Sequence, residues 1–178
     1  MKFIHYLTII FFCGTLMFPG IAYDPVIEYH RLHKRYVWLT PPVFLVIHNE
    51  SSKYNNVRDD DVCAIIQLES GDYCSNNLRC MLKVRSHSGA VGLMQIMPFH
   101  HRGPTNDLEI PTINVKYGTR YYSWCLKHAK GNQKEALRFY NAGPYSRRST
   151  YRNWWYVAGI IKRSSRSAAD PNPYYVIR

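Results

Sequence analysis

The chain contains no CxxC pair and no HxxxH spacing, so nothing in it has the ligand pattern of a zinc site. It has no long-range repeat and no low-complexity tract, which excludes a solenoid or a propeller. Acidic side chains are scarce, 12 Asp and Glu against 23 Lys and Arg, for a formal charge of +11. Past residue 22 no apolar stretch is long enough to span a bilayer. What remains is a chain of 178 residues, enough for one domain with a real core.

Residues 1–22 read as a secretory signal peptide. Lys2 is the short basic start, Phe3 to Phe18 is almost wholly apolar, and Gly20-Ile21-Ala22 is a small-x-small cleavage site. A membrane anchor fits less well, because the run is short and broken by Gly14 and Pro19. Cys13 follows Ile10-Phe11-Phe12, unlike the small residues that precede a lipoprotein cysteine. Cleavage after Ala22 predicts an exported protein. Losing Lys2 leaves a charge of +10 (11 − 1), much of it near the C-terminus at Arg147, Arg148, Arg152, Lys162, Arg163 and Arg166. An exported protein meets anionic surface polymers rather than nucleic acid, so this patch is assigned non-specific attraction only.

Export also sets how the cysteines read. Cys63, Cys74, Cys80 and Cys125 remain after cleavage, an even number in an oxidising compartment, and all four are candidates for structural bridges. Four cysteines allow three pairings. The short polar loop SNNLR between Cys74 and Cys80 makes a local bridge there the preferred one. Residues 23–58 form a tyrosine-rich leader in which Val26 to Val37 could be helical, ended by Pro41-Pro42. Residues 59–163 read as mainly α. Helices are expected over Thr112 to His128, with Gly131 as a stop, over Gln133 to Tyr140, and over Arg148 to Arg163, the last giving Trp155, Ile160 and Ile161 to the core. Residues 164–178, with Pro171 and Pro173, read as an extended tail.

One acidic residue stands out. In DDDVCAIIQLESG, Val62, Ile65, Ile66 and Glu69 fall at i, i+3, i+4 and i+7, one face of a helix. Asp59, Asp60 and Asp61 offer an N-cap, and Gly71 a stop. A stripe that should bury hydrocarbon therefore ends in a carboxyl group. Desolvation by the isoleucines and the negative end of the helix dipole would both raise its pKa. A carboxyl kept protonated near neutral pH is a general acid. A helix-end glutamate turned to solvent is the ordinary alternative.

Two further motifs decide between them. SHSGAVGLMQIMP runs from Ser86 to Pro98, and FYNAGP from Phe139 to Pro144. With Glu69-Ser70 ahead of them, with Asn114, Gly118 and Tyr121 between them, and with Tyr156-Val157 behind, the set resembles the catalytic domain of lytic transglycosylases of the soluble Slt type. The resemblance covers roughly residues 59–163. It implies a mainly α, lysozyme-like helical domain with a glycan-binding groove, acting in the periplasm or at the cell wall. It implies Glu69 as the catalytic residue and Ser86, Gln95, Met97, Tyr140, Asn141 and Tyr156 as groups that hold or frame peptidoglycan glycan strands. It implies no metal and no cofactor. Glu69 would protonate the β-1,4 bond between N-acetylmuramic acid and N-acetylglucosamine. It would then, as carboxylate, take the proton of the muramoyl C6 hydroxyl and leave a 1,6-anhydro end without consuming water.

The residue types suit that work. Gly89 and Gly92 let a backbone turn tightly and approach a sugar. Gln95 both donates and accepts, Met97 offers a soft apolar surface, and Tyr140 can stack and still present a hydroxyl. Asn141 and Gly143 suit a turn that holds Tyr140 in place.

The sequence also departs from the family pattern. The stretch from Gly71 to Arg85 is longer than usual and carries Cys74 and Cys80; it reads as a surface insertion rather than a flap. Arg152-Asn153 stands where the family often has a glutamate-threonine pair. Glu50-Ser51 repeats the ES dipeptide but lies far ahead of GLMQ, so Glu69 is preferred. A hydrolysing muramidase would need a second carboxylate, for which only Asp72 and Asp107 are available. An inactive glycan-binding factor for an envelope-spanning secretion or conjugation machine is the rival from another class.

Overall fold

The computed structural model describes residues 23–145 and 154–164. The signal peptide, Arg147, Arg148, Arg152, Asn153, Arg166 and all of the tail beyond Ser164 lie outside them. The described residues form helices and no strands, with isolated bridges of Val91 to Arg85 and Ile96. In chain order the helices are α1 (Pro25–His33), α2 (Pro41–Ser51), α3 (Asp59–Ile66), a π-turn (Gln67–Gly71), α4 (Leu78–Lys83), α5 (Pro111–His128), α6 (Gln133–Ala142) and α7 (Trp154–Arg163). Short 3₁₀ turns at Pro98–His100 and Thr105–Glu109 lead into α5. The long α5 is the spine: α2 packs on it and α6 returns along it, while α7 joins α6 to α3. Among the described residues no helix is long and apolar enough to cross a membrane, and no group of three or more His, Cys, Asp and Glu is placed to hold a metal ion.

Residues 23–58 are folded into this core. Leu32, Leu39 and Ile47 are fully buried, and Tyr36 and Phe44 nearly so, in one cluster with Ile65, Leu93 and Tyr122. Pro41-Pro42 begins a helix where the sequence suggested an end. Proline is well suited to the first helical turn, where no N–H is missed. Asp59, Asp60 and Asp61 do not cap α3 either: the cap position is Arg58, with no side-chain bond to the helix N–H groups. The aspartates reach outward instead. Asp59 accepts from Tyr23 Oη at 3.1 Å and lies 3.0 Å from His48 Nδ1, with Ser51 Oγ donating as well. Asp60 pairs with Arg35 at 3.0 Å and Arg31 at 3.4 Å, and Asp61 with Arg58 at 3.2 Å. Asp59 and Asp60 thus tie α3 to α1 and α2, and Asp61, which also accepts from Gln133 Nε2 at 3.0 Å, ties it to α6, all at the positive end of the helix. Tyr36 Oη spans further, 3.1 Å from Asp60 and donating to the Arg163 carbonyl at 2.9 Å. The N-terminal segment therefore clasps α7.

Two expectations need correction. Cys74 and Cys80 are bridged, but Cys63 and Cys125 are buried free thiols. Both lie on helix faces packed into the core. Trp155, expected in the core, is 53% exposed, as is its neighbour Trp154 at 73%. Tyr156 and Ile160 take the buried face of α7 in their place.

Candidate active site

Glu69 lies on the π-turn, not on a continuous α-helix. The bond that defines the turn runs from Asp72 N–H to the Gln67 carbonyl at 2.8 Å, one residue wider than an α-turn. Single π-turns inside helices are frequent at functional sites. Here the extra residue breaks the apolar stripe: Val62, Ile65 and Ile66 are fully buried, whereas Glu69 is half-buried and Ser70 takes the interior position. Ser70 Oγ lies 2.9 Å from the Leu93 carbonyl and 3.2 Å from that of Ile66, so it fastens the turn to the GLMQ loop.

The turn is held by Gln67. Its Oε1 accepts from Trp38 Nε1 at 2.7 Å, and its Nε2 donates to Asp72 Oδ1 at 2.7 Å and Asn76 Oδ1 at 2.8 Å. Asp72 is also paired with Arg163 at 2.6 Å, which draws α7 onto the turn. Sequence reasoning singled out neither Gln67 nor Trp38. Trp38 lies 29 residues upstream, beyond any helical periodicity.

Across the turn, Tyr156 Oη donates to Glu69 Oε1 at 2.6 Å. Burial pushes the Glu69 pKa up to about 7, and the Tyr156 hydrogen bond pulls it down by less. Burial, then the Glu69 charge, also raises the Tyr156 phenol well above its ordinary range, so it remains a donor. Glu69 Oε1 is occupied by Tyr156, which leaves Oε2 to meet a ligand. Tyr140 lies close enough for its own pKa to be raised by the Glu69 charge, after burial as the main cause. Its hydroxyl donates to the Met94 carbonyl at 2.9 Å, which ties α6 to the GLMQ segment.

The GLMQ loop owes its shape to α5. Asn114 is fully buried and fully used: Oδ1 accepts from Met94 N–H at 2.8 Å, and Nδ2 donates to the Val91 and Leu108 carbonyls, each at 2.8 Å. Gly92 (φ +77°) fits because a Cβ there would lie 2.5 Å from Asn114 Nδ2 and 2.6 Å from the Leu108 carbonyl. Its close approach is to the protein's own Asn114 side chain and Leu108 carbonyl. Gly118 makes room for Met94, whose Sδ a Cβ would strike. Tyr121 donates to the Phe139 carbonyl at 3.1 Å and packs on Tyr140 at 5.3 Å between ring centroids. Asn114, Gly118 and Tyr121 therefore shape the site from behind.

The remaining candidates spread outward. Gln95, half-buried in a left-handed conformation (φ +50°), donates through Nε2 to the Gly92 carbonyl at 2.9 Å and the Val84 carbonyl at 3.3 Å. Met97 is half-buried, and the neighbouring Phe99 exposes most of its ring. Ser86 is exposed, and its Oγ accepts from Ala90 N–H at 3.0 Å, closing its own loop. Asn141 is exposed in the last turn of α6, before Gly143 (φ +76°) ends it. Glu69, Tyr140 and Tyr156 come together, with the Met94 carbonyl held by Tyr140; among the described residues no hydrogen bond or ion pair joins Ser86, Gln95, Met97 or Asn141 to Glu69. Glu50, the other ES glutamate, is paired with Lys53 at 2.7 Å on α2.

A helical domain with a lone raised-pKa glutamate at a π-turn, backed by GLMQ and YNAGP segments, defines a class, and comparison with known proteins agrees. The family model of the transglycosylase SLT domain matches residues 46–154, well over half of the chain. The chain belongs to the transglycosylase SLT domain family. Its fold matches that of the 70 kDa soluble lytic transglycosylase of Escherichia coli, with a TM-score of 0.50 and 24% sequence identity. The match covers 78% of this chain and 21% of that enzyme, so the chain spans about a fifth of that enzyme's length. The likeness is one of fold, the lysozyme-like helical domain.

Proposed function

We propose that the chain is an exported peptidoglycan lytic transglycosylase in which Glu69 acts first as acid and then as base. The observation that carries this reading is Glu69 itself, with its pKa raised to about 7 by burial and one oxygen held by Tyr156. In the first step Glu69 gives its proton to the glycosidic oxygen between N-acetylmuramic acid and N-acetylglucosamine, and the C1–O bond breaks. The substrate's own 2-acetamido oxygen can cover C1, so no protein nucleophile is needed. The new Glu69 carboxylate keeps the short Tyr156 hydrogen bond, which favours the charged form. It then removes the C6 hydroxyl proton, O6 attacks C1, and a 1,6-anhydro ring closes.

Hydrolysis, the rival chemistry, would call on a second carboxylate to activate water. Asp72 is tied to Arg163 and Gln67, and Asp107 lies 3.5 Å from His101 on the 3₁₀ turn before α5. Both engagements favour the single-carboxyl route. Gln95, Met97 and Tyr140 are the groups we expect against the sugars, with Ser86 and Asn141 at the margins. A cleaved signal over residues 1–22 would deliver the domain to the periplasm. Mass spectrometry of digested peptidoglycan is the test: anhydro-muramoyl ends are expected, and reducing ends carrying an added water would overturn the reading.

A further inference from the structure

The segment from Tyr73 to Arg85 forms an open cleft of about 710 Å³. Tyr73, Arg79, Lys83, Val84 and Arg85 line it together with the Cys74–Cys80 disulfide. The disulfide staples the loop to the first turn of α4, and Asn77 caps that helix by accepting from Cys80 N–H at 3.0 Å. The cleft is thus held in one shape. Its charge is one-sided: three cations line it and no acid does. Arg85 has a counter-charge in Glu109 at 2.9 Å and a further bond to Asn106 at 3.0 Å. Arg79 and Lys83 make no ion pair with any described residue. They stand at i and i+4 on α4, so both heads lie on one face of the helix. The cleft also abuts the candidate site, because the Val84 carbonyl accepts from Gly92 N–H at 2.9 Å and from Gln95 Nε2 at 3.3 Å.

We propose that this cleft binds a carboxylate of the peptide stem borne by the glycan strand, an inference that rests on peptidoglycan being the substrate. Muramoyl residues carry peptides with ionised carboxylates, and a strand lying against Gln95 brings its stems to the neighbouring wall. Arg79 offers a forked donor for a carboxylate and Lys83 a mobile point charge. The exposed ring of Tyr73 supplies an apolar wall for the stem's aliphatic parts. The inserted segment becomes a specificity element that reads peptide substitution beside the glycan site.

The test uses the full exported chain carrying Glu69→Gln, so that it binds without cutting. Sedimentation is measured with sacculi bearing stems and with sacculi stripped of stems by an amidase, both first freed of phosphate polymers by acid. Binding to stem-bearing sacculi is expected to be about tenfold tighter. Adding Arg79→Ala and Lys83→Ala, both at exposed positions, is expected to abolish that difference while leaving binding to stripped strands unchanged. Equal binding to both sacculi, no binding to either, or a preference retained by the double variant overturns the proposal. A preference present only before phosphate removal reassigns the cleft to a phosphate polymer and overturns it too. Lys127→Ala with Lys130→Ala makes the same charge change elsewhere; an equal loss there means diffuse attraction and sinks the cleft. Product analysis with native Glu69 is scored separately. A stem preference without anhydro ends would keep the cleft and refute the catalytic reading.

Discussion

Replacing Glu69 by Gln should make the protein inactive and, at alkaline pH, more stable. The ordinary glutamate value is 4.5 and the folded value is about 7. Below pH 4.5 folded and unfolded chains both hold the proton, and the carboxyl costs nothing. Between 4.5 and 7 the unfolded chain has released it while the folded chain keeps it, so stability falls by about 1.4 kcal/mol for each pH unit. Above 7 the folded carboxyl ionises and the loss levels off near 3 kcal/mol, about 2.5 pH units at that slope. Glutamine has the same shape, never ionises, and can still accept from Tyr156. The variant and the parent should therefore melt together near pH 4 and diverge to roughly 6–12 °C at pH 8, using about 2–4 °C per kcal/mol for a chain of this size. Thermal unfolding followed by circular dichroism at pH 4, 6 and 8 measures this. A melting difference that does not change with pH would refute the idea that burial holds Glu69 protonated. Turnover should fall by roughly 10²–10⁴, the usual share of a general acid. The parent's kcat/KM should decline as pH rises through about 7, where the free enzyme loses the acid.

Tyr156→Phe removes the donor that favours the Glu69 carboxylate, so the alkaline limb of kcat/KM should move to higher pH while kcat falls; an unmoved limb would exclude the hydrogen bond as a determinant. Gly118→Ala forces a Cβ onto Met94 behind the GLMQ loop and should cost about 1–3 kcal/mol in chemical denaturation, the range for overpacking. Reducing Cys74–Cys80, which closes a loop of sequence separation 6, should cost about 2 kcal/mol on the chain-entropy view. Reduction should lower the melting temperature while activity on stem-free strands persists, because the Ser70 carbonyl beside Glu69 is held by Cys74 N–H at 2.9 Å and not by the disulfide.

Helical periodicity and the ES dipeptide brought Glu69 forward, YNAGP brought Tyr140, and the Tyr156-Val157 pair brought Tyr156, because each motif is local and its spacing is short. The bounds of α5 and α6 were also read within a few residues, as Thr112 to His128 with Gly131 as a stop and Gln133 to Tyr140. The π-turn was not legible. Nothing in QLESG specifies a π-turn, and Gly71 reads only as a stop; Gln67 meets Trp38, Asp72 and Asn76, partners from two other segments. The same reason hid the role of residues 23–58. Their tyrosines and prolines look like a leader until Tyr36 and Trp38 are seen to meet groups on α3, α7 and the π-turn. The tight turn at Gly92 was legible, but its close approach to Asn114, 22 residues on, was not.

The Trp38–Gln67 and Tyr156–Glu69 hydrogen bonds carry a practical consequence for anyone cutting this chain. The family match runs from residue 46 to residue 154. A recombinant piece trimmed to those limits would keep Glu69, GLMQIMP and YNAGP. It would also discard Trp38 at one end and Tyr156 at the other, stranding the Gln67 oxygen and leaving the Glu69 carboxyl without its donor. Silence from such a fragment would report on where the scissors fell, and the smallest honest unit for assay begins ahead of α1 and ends behind α7.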